Sequence, residues 1–300
     1  MQGVPSYVKI FSLGSVGTER ALLGDVVVEE KVDGSNFGFG KNDDEEIVLR
    51  SHHQPVSPDN CPGMFKAAMD YVLSLDLSWV APGTYFYCEM LSKQKHNTIF
   101  YDRTPMNHLV LFDVVTSEGW LYSRTFLSSY AKGLGIDVIP ELYRGEVTVE
   151  VLRGLLATPS YLGGSTVEGV VVKNYHEMIA PGNRLQPLFV KLVNDAFKEQ
   201  NATAFHAQTT RGTIESYIAS FNNEARWIKA IQNLRERGLL IGAPQDIGPL
   251  IHEIERDLKD EESENIKRVM FGFVISDILR KAKNGFPEFY KAMLADSVNQ

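Results

Sequence analysis

One short stretch carries the most chemistry: Glu30-Lys31-Val32-Asp33-Gly34-Ser35-Asn36-Phe37-Gly38, in which a lysine ends an apolar run and is followed at once by an acid and a glycine. A protonated amine is a poor nucleophile. A site that desolvates it, or sets it beside a cation, lowers its pKa and frees its lone pair to attack. Gly34 allows a tight turn. Asn36 offers an amide to a phosphate, a ribose or a metal-bound water. Taken alone, Lys-x-Asp-Gly is better read as a solvated β-turn, because four-residue patterns recur by chance.

Further residues follow in order. Arg50 closes an apolar strand as a permanent cation suited to a ribose or phosphate. Glu89 stands in Tyr85-Phe86-Tyr87-Cys88-Glu89-Met90, where an acid is costly to bury without a partner such as a sugar hydroxyl or a metal. The alternative is a strand-end acid in solvent. Phe112 could stack on a purine, although by itself a core position explains it as well. Glu168 and Lys173 are five positions apart in one strand pattern, so they should face opposite ways, which implies a bulge or separate roles. Lys191 is a second basic residue inside an apolar strand, Phe189-Val190-Lys191-Leu192-Val193.

The elements that must hold these residues are mostly strands. Residues 22–51 read as three of them, separated by turns, and Pro62–Val80 reads as a helix with Phe65, Met69, Val72 and Leu73 on its apolar side. Strand patterns recur at Thr84–Met90, His108–Val114, Gly119–Ser123, Val167–Asn174 and Pro187–Val193, with short helices at Arg124–Gly133 and Thr148–Ala157. They do not alternate as βαβ units, so an antiparallel α+β domain is expected. From Phe197 on, apolar residues recur at helical spacing, predicting three helices whose stripes form an ordinary core. The expected organisation is residues 1–204 as the chemical domain and residues 205–300 as a small all-helical domain.

The 300 residues suit two domains. A net charge of −8 argues weakly against a nucleic-acid binder, although an average can hide a basic groove. The acidic excess lies in the first two thirds. Two cysteines, Cys61 and Cys88, fit a reducing intracellular, cytoplasmic setting and exclude a disulfide framework. No leader pattern opens the chain and no apolar run is long enough for a membrane span.

The ordered set Lys31, Arg50, Glu89, Phe112, Glu168, Lys173, Lys191 resembles the collinear motifs of the covalent nucleotidyltransferases, the polynucleotide ligases and mRNA capping enzymes. Within them it looks like the ATP-dependent RNA ligases of the nick-sealing, phage-encoded kind. Gly34-Ser35-Asn36-Phe37, Lys95-His96-Asn97-Thr98 and Tyr101-Asp102-Arg103-Thr104-Pro105 also look like that family, and the likeness covers roughly residues 20–200. It implies an antiparallel-sheet, ATP-grasp-like ligase fold with Lys31 as the adenylated nucleophile. The main chain at Glu30 would meet the adenine edge, and Phe112 would stack on the ring. Arg50 and Glu89 would hold the ribose or a neighbouring phosphate. Asp33, Asn36 and Glu168 would surround Mg2+ or Mn2+, and Lys173 and Lys191 would touch the phosphates. The family often carries a second lysine two positions after the last motif lysine; here that position is Val193. A helical tail, rather than an OB-fold, favours RNA over DNA and points to substrate binding by residues 205–300. The expected partners are ATP and RNA, as a nicked duplex or a broken structured RNA, bound by a monomer. The alternatives are a DNA ligase, an mRNA guanylyltransferase, and a binding module without catalysis.

Overall fold

The computed structural model describes residues 3–15, 17–181, 184–194 and 210–298. In chain order the strands are β1 (Ile10–Ser12), β2 (Val26–Lys31), β3 (Ser35–Lys41), β4 (Ile47–Ser51), β5 (Pro55–Val56), β6 (Thr84–Met90), β7 (Leu109–Thr116), β8 (Gly119–Leu121), β9 (Asp137–Val138), β10 (Glu141–Gly145), β11 (Gly169–Ile179) and β12 (Gln186–Val193). The α-helices are α1 (Lys66–Leu73), α2 (Arg124–Leu134), α3 (Val149–Leu155), α4 (Thr210–Ala219), α5 (Glu224–Glu236), α6 (Ile247–Lys283) and α7 (Phe286–Val298).

The strands form two sheets. One has five strands in the order β1-β12-β11-β2-β10; the other has seven, with β5-β4-β3-β6-β7-β8 in line and β9 beside β7. Pairing is antiparallel except for β1 with β12 and β9 with β7. This is the expected α+β architecture.

Period-two alternation decides what each sheet buries. In the five-stranded sheet Val26, Val28, Val170, Val172, Leu188 and Val190 pack outward against Ala21, Val147 and Leu152. Their neighbours Glu29, Lys31, Val171, Lys173 and Lys191 therefore face inward. In the seven-stranded sheet Phe37, Phe39, Phe86, Cys88 and Met90 pack outward under Phe65, Met69 and Val72 near α1 and Ala131 and Leu134 of α2. Asn36 and Glu89 face inward. Each sheet thus keeps an apolar outer face under helices and gives its polar inner face to a shared cleft.

Several sequence expectations are corrected. The helix expected over Pro62–Val80 is a 3-10 turn at Gly63–Phe65 followed by α1, ending at Leu73. Beyond it the Asp76 carboxylate accepts from Ser78 N at 2.9 Å, an Asx turn that competes with helix continuation. The second and third tail helices are one 37-residue helix, α6, because Lys259–Asn265 contains no glycine or proline to break it. The last part of its apolar stripe is not core: Ile278 and Leu279 are exposed, whereas Tyr217 and Leu234 earlier in the tail are buried as expected. No bulge separates Glu168 from Lys173. The register of β11 is unbroken from Gly169 to Asn174, and Glu168 sits just before the strand, outside its alternation.

The expected boundary at residue 204 and the change of texture at Phe197 lie outside the described residues. No helix among the described residues is long and apolar enough to cross a membrane.

Candidate active site

The inner faces of both sheets, together with α5 and α6, enclose a cavity of about 910 Å³. Glu30, Lys31, Asp33, Asn36, Glu89, Phe112, Glu168, Lys173 and Lys191 all line it, drawn from positions 30 to 191. Arg50 does not. It lies in β4 opposite Gly38, and its guanidinium turns toward the His52 carbonyl at 3.5 Å.

Lys31 ends β2. Its ammonium lies 2.7 Å from both oxygens of Glu168. Burial pulls the Lys31 pKa down, but the Glu168 carboxylate, with Glu89 and Asp33 behind it, more than compensates and leaves it above the ordinary lysine value. The lowered pKa expected from desolvation is therefore not produced by the protein groups alone. Glu168 is itself pushed above the usual carboxylate range, by burial against the opposing pull of Lys31. Glu89 rises to about 8, through burial and then the nearby Glu236, Glu168 and Asp33, with Lys31 opposing. Three buried carboxylates thus share one ammonium, and the cluster retains negative charge that only a proton or a cation can neutralise.

The loop after Lys31 is fastened from the segment after β6. Asp33 Oδ2 accepts the main-chain N–H groups of Thr98 and Ile99 at 2.7 Å each, and the Tyr101 hydroxyl accepts Asp33 N at 2.9 Å. The Asn97 amide donates to Gly34 O at 2.8 Å. His96 Nδ1 accepts Ser92 N, which leaves Nε2–H to donate to Ser35 Oγ at 2.9 Å; burial holds this imidazole down at about 4, so it stays neutral. His96, Asn97, Thr98, Ile99 and Tyr101 therefore clamp the loop after Lys31. Gly34 is required by close approach rather than by a left-handed turn, since a Cβ there would lie 2.7 Å from Met90 O and from Glu89 Cγ.

Beneath the cavity lies a buried polar network. Lys173 is 2% exposed and donates to Phe112 O at 2.7 Å, with Glu29 at 2.6 Å and Asp113 at 2.8 Å. An ammonium has three donors, and all three have acceptors here. This geometry is at odds with a phosphate contact: Lys173 props the strand segment that carries Phe112, its Nζ 5.2 Å from that ring. Tyr7 and Tyr175 donate to Asp113 from either side. The Phe112 ring is half-buried and borders the cavity. Glu30 is anchored through its carboxylate by Ser160 Oγ at 2.5 Å and Tyr161 N at 3.1 Å.

No group of three or more His, Cys, Asp or Glu among the described residues is arranged to hold a metal ion. The donor set still suits a hard cation that takes one or two carboxylates and completes its shell with phosphate oxygens and water. Glu168 and Glu89 are the under-compensated carboxylates. One oxygen of Asp33 is committed to main-chain N–H groups, which leaves its other oxygen for such a role.

Residues of the helical tail also build this site, which the sequence did not reveal. Gln232 donates to Gly34 O at 3.0 Å, and Ser35 hydrogen-bonds the buried carboxylate of Glu236. Lys229, Gln232 and Glu236 recur at spacings of three and four on α5. That polar stripe could have been read as a face directed at a site.

The model of the family described as RNA ligase matches residues 24–193. No curated protein matches the chain. Among solved structures it is similar to a Naegleria gruberi RNA ligase with PPi, at 17% identity and a TM-score of 0.47, covering 65% of this chain and 57% of that one. It is also similar to mutants of that protein with AMP and Mn (16%, TM-score 0.47) and with ATP and Mn (15%, TM-score 0.48), each over 65% of this chain and 57% of the other. The chain thus spans less than two thirds of the Naegleria protein. With the family model covering more than half of its length, the chain belongs to the RNA ligase family.

Proposed function

We propose that the protein is an ATP-dependent RNA ligase that joins 3′-hydroxyl to 5′-phosphate ends through a lysyl-AMP on Lys31. The observation that carries this is convergence: motif residues scattered from 30 to 191 come together from two sheets around one half-buried lysine. First, the neutral Lys31 amine attacks the α-phosphorus of ATP. A P–N bond forms, the P–O bond to pyrophosphate breaks, and the lysine proton leaves to solvent. The AMP then passes to a 5′-phosphate, making a 5′–5′ pyrophosphate and returning the amine. Finally a 3′-hydroxyl attacks the 5′-phosphorus and AMP departs. Each is an in-line displacement, so catalysis is mostly positioning and charge neutralisation.

The protein's own groups set the starting state. Glu168 holds Lys31 protonated and in place, so the resting enzyme is not a free nucleophile. Mg2+ or Mn2+ held by Glu168, Glu89 and Asp33 would neutralise both these carboxylates and the α-phosphate. Phe112, backed by Lys173, offers a face for the adenine, and Asn36 and Lys191 border the space for ribose and phosphates. Residues 1–204 would carry this chemistry, with residues 205–300 as a second unit that closes the cleft and contributes to substrate binding.

The test is incubation with labelled ATP and magnesium. Label should attach covalently to the wild-type chain and not to Lys31→Ala, which should still join RNA supplied with a 5′-AMP. Label persisting in Lys31→Ala removes the central assignment. A panel of nicks with RNA or DNA on each side separates RNA from DNA ligation, and labelling by GTP rather than ATP would indicate a guanylyltransferase.

A further inference from the structure

The last two helices carry an apolar surface that the fold itself does not use. Phe271, Val274 and Ile278 form a stripe on α6, and Phe286, Phe289 and Met293 form one on α7. Leu279 and Tyr290 stand beside them, and all eight side chains are between 40% and 65% exposed. Both stripes have the spacing i, i+3, i+7, and the second repeats the first fifteen residues later. That is the spacing of a helix face that is normally covered. Among the described residues, the four apolar cores contain no side chain of α6 or α7. Arg268 is the last residue of α6 to reach the cavity, so the stripes begin just beyond it. Gly285, at φ +80°, turns the chain between the two helices, a conformation that glycine takes without strain.

The area and the composition of this surface narrow what covers it. A half-exposed aromatic side chain leaves about 100 Å² to water and an aliphatic one somewhat less, so the eight offer roughly 800 Å² per copy. The largest apolar patch on an ordinary monomer is about 300–600 Å². Each partner in a standard protein interface contributes about 800 Å², so the stripes supply one side of such an interface. RNA stacks on rings and pairs with cations, and Val274, Ile278, Leu279 and Met293 offer it neither. Helices of like spacing interdigitate, however, and a two-fold axis gives each stripe a partner of its own period. Two copies then cover all four stripes at once.

We propose that the α6–α7 end is a dimerisation surface, closed by the same two helices of a second copy into a four-helix bundle. Because the stripes begin beyond the last cavity residue of α6, the bundle leaves both cavities open. The monomer expected from the sequence is then the dissociated state.

The test is sedimentation equilibrium of the full chain over roughly 1–100 μM, the range in which interfaces of this size associate. The wild-type mass should rise from 33.6 kDa toward twice that value. Phe271→Glu combined with Phe289→Glu puts a charge into each stripe and should weaken dimerisation at least about 100-fold, the loss of two central aromatic anchors. Both residues are exposed in the single chain, so the far-UV melting curve of this variant should match that of dilute wild type. Amide exchange of the wild-type chain gives a reading that needs no variant: residues 271–279 and 286–294 should slow as concentration rises, and α5 should not. The proposal fails if the chain stays at 33.6 kDa throughout, or if exchange slows elsewhere instead. It also fails if the dimer survives the two substitutions. A loss confined to RNA binding, or to flotation with phosphatidylserine vesicles, would then give the surface to nucleic acid or to lipid.

Discussion

Replacing Lys173 by methionine separates two roles for that lysine. A phosphate contact would have its ammonium turned to the cavity. The structure buries it to 2% exposure with Phe112 O, Glu29 and Asp113 within 2.8 Å. Removing one partner from a buried ion cluster costs about 3–5 kcal/mol, because the remaining charges lose their compensation. The lower end of that range applies here: burial already raises Glu29 to about 7 against the opposing pull of Lys173, so it can take up a proton at little further cost. At roughly 2–4 °C per kcal/mol for a chain of this order, a loss of about 3 kcal/mol should lower the melting temperature by about 6–12 °C. The sign with pH follows. Without Lys173, which pulls it down, Glu29 binds a proton more tightly in the folded than in the unfolded chain, so the variant loses stability as pH rises through neutrality. The difference from wild type should be larger near pH 8 than near pH 6. Scanning calorimetry at both values, with ATP-dependent adenylation measured well below the transition, gives the answer. An unchanged melting temperature with a raised ATP requirement would refute the buried-prop role and restore the phosphate contact.

Gly34→Ala would put its Cβ 2.7 Å from Met90 O and 2.8 Å from Leu91 Cδ1, about 0.7 Å inside ordinary contact, so the Lys31 loop must move. Overpacking of this kind costs about 1–3 kcal/mol, and a shift near 1 Å can slow chemistry on the order of 100-fold; single-turnover adenylation at the wild-type rate would contradict it. Glu89, raised from 4.5 to about 8 by burial and its acidic neighbours, holds a proton in the folded chain that the unfolded chain has released. Its contribution is complete below 4.5 and lost as pH rises through 8, so Glu89→Gln should flatten the decline of urea-unfolding stability over that window. A decline as steep as wild type would locate the proton elsewhere.

Much of the site could be read from the sequence because strand alternation is a local rule. Once Val26, Val28, Val170, Val172, Leu188 and Val190 are placed outward, Lys31, Lys173 and Lys191 must face the other way. Distances between elements were not readable. Whether an inward lysine meets a ligand or a buried acid depends on the register between β2 and β11, which sets Glu29 opposite Val171, and on how closely β7 approaches. Lys173 and Lys191 look alike in sequence, each a base in an apolar strand. In the structure one is saturated by two carboxylates and a carbonyl, while the other stands 3.6 Å from a single acid.

The tail shows the same limit at larger scale. Its stripes predicted helices correctly, but periodicity does not say which helices end up covered. The exposed Phe271 and Phe289 and the buried Leu234 arise from similar patterns. What distinguishes α5 is its polar face, where Lys229, Gln232 and Glu236 reach Glu261, Gly34 and Ser35. A polar helical stripe is normally a solvated face. Here it closes over the loop after Lys31, so on the proposed ligase reading changes in the tail should register in the covalent step itself as well as in the binding of RNA.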